Sequence, residues 1–162
     1  MLVQSKIKEL FDNPNTVFVF DVDGVLASIE YGEYNHYYYD DEAWAEALNS
    51  HDFYQDIRPI KTMQEFLKDK KMERVYVVTK VMNETEKKYK QRFLEQHYHI
   101  DPTHVFSVLT NPDKLTRMQE IHQSFPTLED KYMVMIDDTV DVLNHIMENS
   151  NYSTVHISSF LD

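Results

Sequence analysis

The stretch VFVFDVDGVL, residues 17–26, decides how the rest of this chain is interpreted. Its first four residues are apolar and include two valines, a pattern typical of a strand that is buried on both faces of a sheet. Asp21, Asp23 and Gly24 follow at once. The two acids are therefore expected where a strand leaves the sheet at its carboxyl edge, which is where open α/β sheets bind ligands.

Two carboxylates placed so close together repel each other. At about 4 Å and an effective dielectric constant of about 20, the repulsion is roughly 4 kcal/mol. Such a pair requires a cation between its members or a proton on one of them. The alternative is a solvated Asp-Gly turn after a core strand, and residues 21–24 alone do not decide between the two interpretations.

Length and composition limit the class of protein. A chain of 162 residues predicts a single domain, residues 1–162. The absence of cysteine excludes a disulfide framework, thiol catalysis and a zinc-thiolate site. The net charge of -12 argues against a nucleic-acid polymer as partner. The longest apolar run, residues 132–136, is far shorter than the roughly 20 residues of a membrane span, and no signal-peptide pattern is present, so a cytoplasmic protein without a membrane partner is expected.

Strand and helix patterns alternate along the chain. Strands are predicted at 16–20, 74–79, 104–109, 132–136 and 154–157, and helices at 2–11 and 41–49, from Pro59, after Asn83, from Asn111 and Pro112, and over about ten residues after Asp138. Strands that are separated by helices favour a parallel sheet. The predicted fold class is α/β, a three-layer Rossmann-like sandwich.

The helix after Asn83 has a recognisable start. Asn83 is expected to cap it, with Glu86 completing a capping box. Glu86 and Lys90 are four residues apart, and this spacing predicts an ion pair on a solvated helix face.

Residues 28–58 differ in composition from the rest of the chain. They contain eight large aromatic residues, Tyr31, Tyr34, Tyr37, Tyr38, Tyr39, Trp44, Phe53 and Tyr54. We predict a small helical cap insert that folds over the strand edge; the alternative is a satellite cluster packed on the core. The two glycines of the chain are Gly24 and Gly32, where average usage gives about 11, so each is expected where the backbone turns sharply or acts as a hinge.

Polar residues follow three of the predicted strands. These are Asp21 with Asp23, then Thr79, and then Asp137 with Asp138, and Lys114 lies in the first turn of a helix at the same edge. Each has an ordinary alternative as a turn hydroxyl, a surface lysine or a helix N-cap acid. Together they suit phosphoryl transfer with Mg²⁺, because carboxylates hold the ion and Thr79 and Lys114 bind phosphate oxygens. Asp21 would attack phosphorus while Asp23 moves the proton.

Four motifs resemble those of the haloacid dehalogenase-like superfamily: DVDGV at 21–25, VYVVT at 75–79, Lys114, and VMIDD at 134–138. The resemblance implies that Asp21 is the nucleophile and that Asp23 is the acid/base and a magnesium ligand through its carbonyl. It also implies that Asp138 is the principal metal ligand, beside Asp137. An aspartate at the position of Asp23 is typical of the phosphatase members. Lys131 is a rival for the motif lysine, but the motif lysine of the family precedes the fourth strand by about a helix, as Lys114 does.

A second likeness concerns residues 51–67, which are similar to the stretch that closes the cap in deoxyribonucleotidase-like members. Phe53, Tyr54 and Pro59 carry it. The predicted substrate-binding residues are Phe53, Tyr54, Thr79, Lys80 and Lys114.

The expected function is a Mg²⁺-dependent phosphomonoesterase that forms a phospho-Asp21 intermediate. The expected substrate is a small phosphorylated metabolite, foremost a nucleoside monophosphate. A phosphatase for a sugar phosphate or another metabolite, and a binding module without catalysis, are the alternatives.

Overall fold

Five strands and six α-helices occupy residues 2–28 and 36–161, the part of the chain that this computed structural model describes. The strands are β1 (Val17–Phe20), β2 (Val75–Lys80), β3 (Val105–Val108), β4 (Met133–Asp137) and β5 (Ser153–His156). The helices are α1 (Leu2–Asp12), α2 (Asp41–Ser50), α3 (Lys61–Leu67), α4 (Glu84–Tyr98), α5 (Asp113–His122) and α6 (Val140–Asn149). Tyr31, Gly32 and Tyr34, and with them the predicted hinge at Gly32, lie outside the described residues.

All five strands are parallel and form one sheet in the order β3-β2-β1-β4-β5. The chain builds outward from β1 to β3 on one side, then crosses back to add β4 and β5 on the other. The neighbours of β1 therefore belong to the two halves of the sheet, and this reversal of direction creates the crevice where such sheets bind ligands. The predicted α/β fold with a parallel sheet is confirmed.

Strand β1 is central because its side chains are apolar on both faces, and each of its four residues is at most 3% exposed. Phe18 and Phe20 belong to a core cluster that includes Phe93 of α4. Val17 and Val19 belong to a second cluster that α5 and α6 complete. Helices thus cover both faces of the sheet, in agreement with a three-layer Rossmann-like sandwich.

Helix α4 has the predicted cap, Asn83, but the Glu86 side chain bonds to the Met82 amide instead of the Asn83 amide that the predicted capping box requires. Asn83 caps it, and the Asn83 side chain accepts a hydrogen bond from the Glu86 amide at 3.0 Å. The prediction that Glu86 and Lys90 lie on a solvated face is wrong, because the two residues are only 4% and 1% exposed. The reason is tertiary: Trp44 of α2 covers this face and donates to Glu86 Oε1 at 2.7 Å. The second carboxylate oxygen of Glu86 accepts from the Met82 amide at 2.8 Å.

Helix α3 begins two residues later than Pro59, at Lys61, so the prediction of Pro59 as its first residue is wrong. Pro59 forms an antiparallel bridge with Ala27. The Ile60 amide donates to the Leu26 carbonyl at 3.0 Å. These contacts with the loop after β1 hold Pro59 in an extended conformation and delay the helix.

The chain leaves the sheet region at Ser28 and returns beside it, with the Ser28 amide donating to the Arg58 carbonyl at 2.9 Å. Between these points, the described residues form α2 and two short 3-10 helices, His36–Tyr38 and Phe53–Gln55. Trp44 and Leu48 of α2 belong to the same core cluster as Phe20. The described part of residues 28–58 is therefore packed on the core, and its role as a cap stays a prediction.

Within residues 2–28 and 36–161, none of the helices has both the length and the apolar composition that crossing a membrane requires.

Candidate active site

A tight loop places the two acids that follow β1. The Asp21 amide continues the ladder and donates to the Ile136 carbonyl of β4 at 3.0 Å. The Val22 carbonyl then accepts from the amides of residues 25, 26 and 27, at 3.1, 2.9 and 2.9 Å. Gly24 has a φ of 77°, in the left-handed region that favours glycine, and its amide donates to the Ala27 carbonyl at 2.8 Å. The predicted sharp turn at Gly24 is confirmed.

Three neighbouring strands bring the predicted polar residues together. Because β2, β1 and β4 are adjacent and parallel, Thr79, Asp21 and Asp137 reach the same edge of the sheet. A cavity of about 540 Å³ opens there. Its lining includes six of the residues predicted from the sequence, namely Asp21, Asp23, Thr79, Lys80, Lys114 and Asp138.

Three carboxylates form a cluster at this edge. One oxygen each of Asp21, Asp137 and Asp138 lies within 4.8 Å of the others. Asp137 is fully buried and Asp21 is 8% exposed. The carboxylate of Asp23, grouped with them in the sequence interpretation, is engaged elsewhere: its two oxygens contact Tyr54 and Lys90.

Lys114 supplies the positive charge of the cluster. Its Nζ lies 2.8 Å from Asp137 Oδ2 and 3.2 Å from Asp21 Oδ1, and the side chain is 2% exposed. As predicted, it lies in the first turn of a helix at the carboxyl edge. The rival Lys131 is half exposed, precedes β4, and has its Nζ 3.5 Å from Glu9 Oε1.

The electrostatics of the cluster favour a divalent cation. Burial and the nearby Asp21 charge raise the pKa of both Asp137 and Asp138. Burial alone would lower the pKa of Lys114, but Asp21 and Asp137 outweigh it and the pKa is raised, so Lys114 stays charged. Three carboxylates and one ammonium leave two negative charges, and carboxylate oxygens are hard ligands of the kind that Mg²⁺ prefers.

Lys90 is the residue of this region that the sequence interpretation missed. It is buried, and its Nζ donates to Asp23 Oδ2 at 2.7 Å. Tyr54 Oη donates to the other oxygen, Asp23 Oδ1, at 2.6 Å. Burial alone would raise the pKa of Asp23, but the charges of Lys90 and His36 and the hydrogen bonds from Lys90 and Tyr54 together outweigh it, and the pKa is lowered. Helical spacing was the available signal, because positions 86 and 90 continue the stripe of the buried Phe93 and Leu94.

The aromatic wall of the cavity differs from the predicted one. Phe53 and Tyr54 are 5% and 2% exposed, belong to the core cluster, and are not among the residues that line the cavity. The Phe53 ring packs 5.2 Å from that of Trp44, measured between centroids. Tyr39 and Trp44 line the cavity instead. The aromatic residues at the cavity are therefore Tyr39 and Trp44, and not the predicted Phe53 and Tyr54.

Comparison of the sequence with models of known protein families and with curated proteins gave no match in either case.

Proposed function

We propose that the protein is a Mg²⁺-dependent phosphomonoesterase that forms a phospho-Asp21 intermediate. One observation carries this proposal: Asp21 is grouped with the carboxylates of Asp137 and Asp138 and lies 3.2 Å from Lys114 Nζ, at a cavity that Thr79 also lines. A carboxylate nucleophile, a cation site and donors to phosphate oxygens are the parts that phosphoryl transfer requires.

Asp21, Asp138 and the buried Asp137 would hold Mg²⁺, with the backbone carbonyl of Asp23 as a further oxygen ligand. When bound, the ion neutralises negative charge on the phosphate and on the carboxylates around it. This role fits the two uncompensated negative charges of the cluster.

In the first step, an Asp21 oxygen forms a bond to phosphorus while the bond between phosphorus and the alcohol oxygen breaks. The alcohol leaves with a proton from Asp23. In the second step, a water oxygen attacks the phosphorus of phospho-Asp21, and Asp23 accepts the proton that the water loses. Inorganic phosphate then departs and Asp21 is restored. Because Lys90 helps to lower the pKa of Asp23, the side chain rests as a carboxylate, which is the form that accepts a proton in the second step. Departure of a poor leaving group in the first step requires the less populated, protonated form of Asp23.

Lys114 and Thr79 would bind the phosphoryl oxygens. The ammonium of Lys114 lies 3.2 Å from the proposed nucleophile, so it also neutralises charge where the new bond forms. The Thr79 hydroxyl accepts a hydrogen bond from Lys90 Nζ at 3.1 Å and donates to the Lys80 carbonyl at 3.5 Å, a long contact that a phosphoryl oxygen in the cavity would replace.

The direct test is hydrolysis of para-nitrophenyl phosphate and of a panel of phosphorylated metabolites, with Mg²⁺ and with a chelator. We expect release of inorganic phosphate that depends on Mg²⁺. A purified, folded protein that hydrolyses none of these compounds with Mg²⁺ would support the binding module without catalysis instead.

Mg²⁺ should raise the melting temperature through Asp138. An ion that binds the native state alone at about 100 times its Kd adds about 2.7 kcal/mol, which corresponds to roughly 5 to 10 °C for a chain of this size. Asp138→Ala should abolish most of this shift, as measured by thermal unfolding with and without Mg²⁺. Asp141→Ala is the matched control, because Asp141 is exposed in the first turn of α6. A parent-like response to Mg²⁺ in Asp138→Ala would show that the ligand assignment is wrong.

We propose a nucleoside monophosphate as substrate because Tyr39 and Trp44 line the cavity, with ring centroids 5.7 Å apart. Stacking of a base on an aromatic face contributes about 1 to 3 kcal/mol. Tyr39→Leu should therefore raise KM for a nucleoside monophosphate by roughly 5- to 150-fold and leave KM for ribose phosphate, which lacks the base, nearly unchanged.

The control for this experiment is Tyr38→Leu, since Tyr38 is 67% exposed and does not line the cavity. Equal losses on both substrates in Tyr39→Leu would favour the alternative of a sugar phosphate or other metabolite, with the aromatic residues serving only in packing.

A further inference from the structure

Lys90 is a buried cation whose hydrogen-bonding capacity is fully used. Its side chain is 1% exposed. An ammonium group has three protons, and three acceptors surround Lys90 Nζ: Asp23 Oδ2 at 2.7 Å, the Lys80 carbonyl at 2.8 Å and Thr79 Oγ1 at 3.1 Å. Lys90 therefore has no proton left for a substrate. It ties the loop after β1 to the end of β2 from behind the cavity.

The carboxylate of Asp23 is fixed at both of its oxygens. Lys90 holds Oδ2, and the Tyr54 hydroxyl donates to Oδ1 at 2.6 Å. Two contacts on opposite oxygens remove the rotation of the carboxylate about its bond to the chain. A carboxylate has about four lone-pair sites, so each oxygen keeps capacity for another partner. The Asp23 side chain remains 19% exposed and lines the cavity.

Lys90 is itself held by the residues behind it. Glu86 Oε2 lies 3.9 Å from Lys90 Nζ, and both carboxylate oxygens of Glu86 are occupied, by Trp44 Nε1 and the Met82 amide. The Tyr54 ring packs against Phe93 of α4, with centroids 6.1 Å apart. The groups that hold Asp23 thus rest on a regular helix and on the core, which suits accurate placement of a reacting group.

We propose that Lys90 is a positioning residue, which together with Tyr54 holds the Asp23 carboxylate where it exchanges protons with the leaving alcohol and with water. This inference rests on the proposed function. Loss of the positioning slows the attack of water on phospho-Asp21 for every substrate. It slows the first step only where the leaving group needs a proton, and para-nitrophenolate leaves without one.

The test is rapid-mixing kinetics of Lys90→Met with para-nitrophenyl phosphate and Mg²⁺. We expect the steady-state rate to fall by about 100-fold, the lower end of what a positioned acid or base contributes. A burst of para-nitrophenolate of about one equivalent per site should precede the steady state, because phospho-Asp21 forms readily and then accumulates. Phenyl phosphate, a poorer leaving group, should give no burst.

Two further variants complete the experiment. Lys90→Met removes the cation beside both Asp23 and the buried Glu86, so Tyr54→Phe, which removes a single hydroxyl, provides an independent measurement. It should show the same burst with a fall of about tenfold in the steady-state rate, the order expected for one hydrogen bond to a charged group. Lys88→Met is the matched control: it lies on the same helix but is exposed, and it should behave as the parent protein.

Three outcomes would overturn the inference. Lys90→Met or Tyr54→Phe could turn over at the parental rate. Either could lose steady-state rate in the same proportion on both aryl phosphates and show no burst of para-nitrophenolate, which is the result of a smaller folded fraction. A parent protein that does not hydrolyse para-nitrophenyl phosphate would overturn the proposed function itself, and the inference with it, whereas the first two outcomes leave the phosphatase proposal intact.

Discussion

Asp21→Asn should reduce the steady-state hydrolysis of para-nitrophenyl phosphate by at least about 10³-fold, because the amide is not a nucleophile for phosphorus. The variant should also fail to form an acid-stable phosphoenzyme with any substrate. Hydrolysis measured with Mg²⁺ and mass spectrometry of the quenched protein together check both expectations.

The same change should not damage the fold. The Asp21 charge helps to raise the pKa of Asp137 and of Asp138, which means that it destabilises their ionised forms. Its removal leaves Lys114 paired with Asp137 at 2.8 Å. Without Mg²⁺, the melting temperature of Asp21→Asn should therefore equal or exceed that of the parent.

A suitable control for Asp21→Asn is Asp69→Asn, since Asp69 is exposed between α3 and β2 and does not line the cavity. Its turnover should match that of the parent. Substantial turnover by a folded Asp21→Asn protein would exclude the phospho-Asp21 intermediate, even if hydrolysis by the parent requires Mg²⁺.

Lys114→Ala should have the second largest effect, a loss of about 10²- to 10³-fold in kcat/KM, the order found when one preorganised donor to a developing charge is removed. Lys114 is buried, with its Nζ 3.2 Å from Asp21 Oδ1, so it neutralises charge at the proposed nucleophile. Its loss also leaves the fully buried Asp137 without a counter-ion. We expect a cost of about 3 to 5 kcal/mol in the free energy of unfolding, measured by urea denaturation.

Lys131→Ala is the matched control, because this lysine precedes β4 and is half exposed, with its Nζ 3.5 Å from Glu9 Oε1. Exposed ion pairs of this kind contribute about 0 to 1 kcal/mol, so both turnover and stability should stay close to those of the parent. If Lys131→Ala instead lost activity and Lys114→Ala kept it, the motif lysine would have to be reassigned.

The proposed site divides its charges between two lysines with different roles. Lys114 contacts Asp21 and Asp137, so it belongs to the cation and phosphate side of the cavity. Lys90 contacts Asp23 and Thr79 from behind and has no free proton for a ligand. Each lysine neutralises one of the two acids that follow β1. The repulsion anticipated between Asp21 and Asp23 is thus relieved by two separate lysines. The proposed Mg²⁺ would neutralise further charge on the carboxylate of Asp21 but not on that of Asp23.

The sequence by itself determined the order of the elements and the edge of the sheet that the candidate site residues share. Residues 17–20 are apolar on both faces, which fixes β1 as an interior strand, and local spacing located the remaining strands and helices to within about two residues. The convergence of Asp21, Thr79 and Asp137 then follows from topology, because the carboxyl ends of parallel strands share one edge. These features depend on local patterns and on a general rule of connection.

Only the tertiary structure decided what covers each surface. Helical spacing places Glu86 and Lys90 on one face of α4, but a ring from a helix about forty residues earlier, that of Trp44, turns this face into buried structure. In the same way, contacts with the loop after β1 delay α3 beyond Pro59. Phe53 and Tyr54 likewise pack in the core away from the cavity, which Tyr39 and Trp44 line instead. The physical reason is the same in each case: periodicity reveals which residues share a face, whereas burial and charge pairing depend on segments that are distant in the chain.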